Sequence, residues 1–79
     1  MEINDMVAKI NEALVAGGYR SDEAKAVAWK KEVKPGQTIE RIYLKGKKAN
    51  GYVHQVAGSW HAEDISFLAL HGLVSNAIA

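Results

Sequence analysis

Between positions 59 and 79 the chain carries its longest nearly unbroken run of apolar residues, and any fold must find a place for it. The core of that run, Ile65 to Val74, reads Ile-Ser-Phe-Leu-Ala-Leu-His-Gly-Leu-Val, with good helix formers, no proline and no charge. Ser59 is placed to cap a helix there, and Glu63 and Asp64 would lie in its first turn, where acidic groups complement the helix dipole. Positions 67, 70, 74, 77 and 78 fall on one side of a 3.6-residue period, while Ile65, Leu68 and Leu73 widen the stripe beyond an ordinary core face. Such a helix is either wrapped by the rest of the chain or shared with a partner, and a homodimer through it is one expectation. A membrane span is not expected, because a bilayer needs about 20 apolar residues and Ser66, His71, Gly72, Ser75 and Asn76 interrupt this run.

Length makes the helix central. A chain of 79 residues is expected to form a single domain over 1–79 that buries only about 60 to 65% of its unfolded surface, so one large element must dominate the core. The absence of cysteine removes disulfides and thiolate metal sites. That absence, with no basic segment leading into an apolar leader, points to a cytoplasmic protein.

The segment 3–16 places Ile3, Met6, Val7, Ile10, Ala13 and Leu14 at helical spacing, with Asp5, Lys9 and Glu12 on the other side, and reads as an amphipathic helix. Asn4 or Asp5 can cap it, Gly17-Gly18 supplies the positive φ that ends it, and Tyr19 is placed for the apolar contact that follows such an end. Segment 24–33 has helical propensity, yet Val27, Trp29, Lys31 and Val33 alternate. Pro35-Gly36 then makes a turn, and 38–45 is a β-branched and aromatic run that needs a neighbour, so 24–33 is read as a strand with a helix as the alternative. A turn over 46–51 ending in Asn50-Gly51 leads to a third strand over 52–57. The expected fold is α+β: helix, three-stranded antiparallel meander, helix, with both helices on one face of the sheet.

Alternation within those strands assigns Ile42, Leu44 and Val53 to the core and Trp29, Lys31, Arg41, Tyr43, Lys45, Tyr52 and His54 to the open face. The charge agrees: 20–48 holds nine of the ten basic residues against four acids. A basic, aromatic sheet face suits a protein interface or exposed bases, with Lys47 and Lys48 in the following turn as further cationic contacts.

No catalytic set is visible, no cofactor is implied, and the chain is not expected to be an enzyme. His54, His61 and His71 lack the three- or four-residue spacing of helical ligand pairs. His61-Ala62-Glu63 matches half of a zinc deaminase motif whose other half needs cysteines, and its ordinary reading is the first turn of the last helix. Gly46 and Gly51 are spaced as in a P-loop, but Tyr52 and Val53 stand where Lys and Ser or Thr are required.

The order helix, three strands, helix resembles double-stranded RNA-binding domains, and that resemblance implies nucleic-acid binding. Those domains present lysines at the start of their last helix, where this chain has Trp60-His61-Ala62-Glu63-Asp64. In size and layout, with the opening Ile3-Asn4-Asp5-Met6 helix before a meander, the chain also resembles the small anti-CRISPR inhibitors of phages and mobile elements. That resemblance implies a non-enzymatic protein that occupies a surface on a nuclease or nucleoprotein complex.

Overall fold

The computed structural model describes residues 2–79. Its elements are α1 (Ile3–Ala16), β1 (Lys25–Lys34), β2 (Gln37–Lys45), β3 (Tyr52–Val56), β4 (Ser59–Glu63) and α2 (Leu68–Ile78). The strands form one antiparallel sheet in the order β1-β2-β3-β4, and both helices pack on the same face of it. Met6, Ile10 and Leu14 of α1 and Leu70, Val74 and Ala77 of α2 meet Ala26, Ile42, Leu44 and Val53 of the sheet, and these side chains are buried. The alternation read from 24–33 and 38–45 is that of real strands, and at their inner ends it sets Ala26, Ile42 and Leu44 under the helices.

The sheet has four strands where the sequence suggested three, and the fourth is taken from the start of the expected last helix. Val56 ends β3, Ala57 (φ 51°) and Gly58 (φ 83°) form the two-residue turn, and Ser59 to Glu63 pair back along β3. Two consecutive positive φ angles give the hairpin turn whose twist matches the flanking strands. Ser59 is therefore a strand residue and not a helix cap, Ala57 lies in the turn and not in β3, and His61 and Glu63 lie on β4 and not in a helical first turn. Trp60 and Ala62 take the core side of β4 and pack against the core. Asp64 turns the chain with φ 59°. The helix begins only at Leu68, with Phe67 at its N-cap and no capping side chain. Asn4 and Asp5 do not cap α1 either: Glu2 holds that position, also without a side-chain bond.

Shortening α2 narrows its stripe. Leu70, Val74 and Ala77 are buried, while Ile65, Leu73 and Ile78 are half-buried. Phe67 and Leu68 are exposed, Leu68 at 88%. Leu73 lies over Gly17, where a Cβ would come within 2.4 Å of its methyl group. Gly18 (φ 90°) then ends α1: its N–H donates to the Val15 carbonyl (3.0 Å), the Tyr19 N–H donates to the Leu14 carbonyl (3.0 Å), and Tyr19 packs on the core.

The β2–β3 ladder has only two pairs, Ile42 with Val53 and Tyr43 with Tyr52. The β1–β2 ladder runs on to Lys34 and Gln37, and every residue from Ala28 to Glu40 is exposed. The outer half of that ribbon is thus an arm reaching past the helices, and the molecule measures 40 by 23 by 20 Å.

Candidate functional site

On the open face the strand registers bring together residues that are far apart in sequence. Tyr43 and Tyr52 are direct cross-strand partners, Trp29 stands opposite Arg41, and His54 stands opposite His61. The result is an aromatic row. Trp29 and Tyr43 meet edge to face with centroids 5.5 Å apart at 88°; Tyr43 and Tyr52 follow at 5.7 Å and 47°, then Tyr52 and His54 at 5.3 Å and 68°. Tilted and T-shaped contacts of this kind align ring edges with ring faces and hold the rings in fixed positions.

Arg41 fastens the row from above. Its guanidinium lies 4.2 Å from the Tyr52 ring centroid, and Nη1 donates to the Tyr43 hydroxyl at 3.1 Å. That bond to the Tyr43 oxygen, ahead of all other causes, raises the arginine's pKa. Lys45 Nζ stands 5.8 Å from the Tyr43 ring. Trp29 is 36% exposed, Arg41, Tyr43, Tyr52 and His54 are half-buried against one another, and Lys31 and Lys45 are open to solvent. His54 Nε2 is 3.7 Å from Glu63 Oε1, so the β4 end of the row carries an acid.

Lys47 and Lys48 are not part of this face. They belong to the turn after β2 and latch it to the segment between α1 and β1: Lys47 Nζ is 3.2 Å from Asp22, and Lys48 Nζ is 2.8 Å from Glu23. The backbone repeats the link, since the Lys47 N–H donates to the Asp22 carbonyl and the Lys48 N–H to the Glu23 carbonyl. The bond from Lys48 is the first cause holding the Glu23 carboxyl below the usual glutamate range, and Glu23 in turn raises Lys48. Gly46 (φ 138°) permits this approach, because a Cβ there would come within 2.3 Å of the Glu23 carbonyl oxygen.

Sequence reasoning missed Ile39 and Val56, both exposed and both on the open face, and His61 and Glu63 at its far side. Ile39 was legible, since it shares the parity of Arg41 and Tyr43. His61 and Glu63 were hidden by the helical reading of 59–63.

The other side of the sheet offers a shallow polar hollow of about 270 Å³ where the arm and the β3–β4 hairpin diverge, lined by Lys30, Thr38, Glu40, Gln55 and Trp60. It contains no nucleophile with a neighbouring base. Among the described residues no three His, Asp or Glu side chains converge to hold a metal ion, and no buried side-chain nitrogen or oxygen lacks a partner. His71 Nδ1 lies 3.4 Å from Ser75 Oγ on exposed helix surface, one turn apart. No described helix is long and apolar enough to cross a membrane. Comparison with protein-family models, with curated proteins and with solved structures gave no match to this chain.

Proposed function

We propose that this chain is a non-enzymatic binding module that acts through the open face of its sheet, and that the face takes a protein surface bearing carboxylates. The observation that carries the reading is the Trp29–Tyr43–Tyr52–His54 row with Arg41 bound across it. Tryptophan, tyrosine and arginine are the residues that anchor protein interfaces, and here they already pack against one another, which lowers the side-chain freedom lost on binding. Lys25, Lys31, Arg41 and Lys45 share the face with Glu63, leaving it cationic. The inhibitor reading follows from the same mode of action: a protein of the anti-CRISPR kind works by covering a surface on a nuclease or nucleoprotein complex, and its likeness to this chain lies in size and layout.

A second reading, nucleic-acid binding, is supported by the same four cations. The ring geometry favours protein, because bases stack on free ring faces, whereas Arg41 covers Tyr52 and neighbouring rings meet one another edge-to-face or tilted. The likeness to double-stranded RNA-binding domains is weakened by β4, which occupies the residues that would open their last helix.

The test is retention of partners from a lysate by tagged wild type and by Arg41→Ala. A stoichiometric protein retained by the first and weakened by about tenfold in the second supports the reading, a loss of about 1.4 kcal/mol. Retention of nucleic acid with steep salt dependence would transfer the site to the second reading. Equal retention by both proteins would remove the open face from the function.

A further inference from the structure

Antiparallel ladders alternate, and Asn11 reveals the phase of β1. Its Nδ2 donates to the Ala26 carbonyl at 2.9 Å while the Ala26 N–H donates to its Oδ1 at 2.8 Å, so both backbone groups of Ala26 turn away from β2. The same alternation turns the N–H and C=O groups of Ala28, Lys30 and Glu32 outward along the sheet edge, up to the bulge between Glu32 and Lys34. Among the described residues none hydrogen-bonds to them, every residue from Ala28 to Glu40 is exposed, and Ile3 and Asn4 at the start of α1 border only a hollow beside Ala28 and Lys30. The helix closes the edge at its inner end and leaves the arm open.

An open two-stranded ribbon is marginal on its own in water and gains from a third strand. We propose that the third strand is β1 of a second copy, paired antiparallel about a two-fold axis beside Lys31. In this register each copy's Lys30 stands opposite the other's Glu32, so the edge is complementary to itself in charge as well as in hydrogen bonding. Lys30 already approaches Glu40 of its own chain at 3.6 Å, and Glu32 would join that pair from across the seam. Only the two Lys31 side chains face like charge, and they do so on the solvated open face. The Asn11 clamp on Ala26 marks where a paired strand must stop, and in this register the partner's Pro35-Gly36 turn arrives beside it. The seam does not depend on the aromatic row, though it would join two such rows into one surface.

Sedimentation equilibrium up to about millimolar protein, the range in which a short strand seam associates, tests the proposal together with amide hydrogen exchange. The expected result is a reversible dimer in which the Lys30 and Glu32 amides slow their exchange as concentration rises. Glu32→Lys should weaken it at least tenfold by placing lysines opposite lysines, and the double variant Lys30→Glu with Glu32→Lys should recover most of the loss. Lys30→Pro removes an outward N–H without touching the β2 ladder and should abolish the dimer while circular dichroism stays unchanged. A monomer at every concentration, or a dimer indifferent to Glu32→Lys, would overturn the proposal.

Discussion

The inner and outer halves of the β1–β2 ribbon are one continuous ladder with opposite surroundings. In the inner half the helix-side positions are Ala26, Ile42 and Leu44, all buried. In the outer half the same parity gives Lys30, Glu32, Thr38 and Glu40, all exposed, while Ile39 on the other face is apolar and exposed as well. The helix side of the ribbon thus turns from apolar to polar part way along, at the point where helix cover ends. Alternation in sequence reports which residues share a face, whereas the chemistry at those positions reports whether anything lies over it.

The sharpest way to break this comparison is to delete the same side chain in each half. Ile42→Ala should cost about 2 to 4 kcal/mol, because it empties fully enclosed space, while Ile39→Ala on the arm should cost about 0.5 kcal/mol or less. Urea denaturation of both variants checks the contrast. Equal losses would mean that the arm packs against something in the free protein.

A smaller effect is expected where the two halves join. Asn11→Ala removes both bonds to Ala26 and leaves two backbone groups at the inner edge to be satisfied by water, at a cost of about 1 to 2 kcal/mol. The Ala26 amide should then exchange faster than its neighbours on β2, which exchange measurements would resolve.

The least effect belongs to the latch at the inner end of the ribbon. Glu23 has its folded-state pKa lowered by Lys48, so its contribution is present above the unfolded value of about 4.3 and is lost as pH falls through the folded value. A thermal scan series from pH 6 to pH 3 should show this part of the acid loss reduced in Lys48→Met, since the variant loses the largest of the contacts on the carboxylate and keeps only those of Arg20. Both side chains meet at the surface, and salt should shrink the difference.

Much of this arrangement was legible from local chemistry. The 3.6-residue spacing from Ile3 to Leu14 and the Gly17-Gly18 stop placed α1, and Pro35-Gly36 placed the first turn. The tight turn after β2 lies not at Asn50-Gly51 but at Gly46–Ala49, where the Ala49 N–H donates to the Gly46 carbonyl, and Asn50 Oδ1 instead accepts from the Ser66 N–H. The parity of Tyr43 and Tyr52 put the aromatic residues on one face, although only the register reveals that they form a row with Arg41 bound across it. Two features were beyond that reach. Ala57 is a poor residue for positive φ, so the β3–β4 turn had no strong signal beyond Gly58, and the apolar run from Ile65 drew Trp60 and Ala62 into a helix. Lys47 and Lys48 gave no sign that they are neutralised, because their partners Asp22 and Glu23 come from the far side of β1.

The contact between α1 and α2 has a consequence for the order of assembly. Each strand pairs with its neighbour in sequence, so the hairpins close short loops and form from local information. The helices instead join residues near the two ends of the described chain, and Ile10 and Leu14 can be fully enclosed only when Leu70, Val74 and Ala77 arrive. On a ribosome the sheet would therefore emerge with its helix-side face half covered by α1, and cooperative folding would wait for the eleven residues of α2. The stability of this fold is settled only when α2 closes over α1 and the sheet.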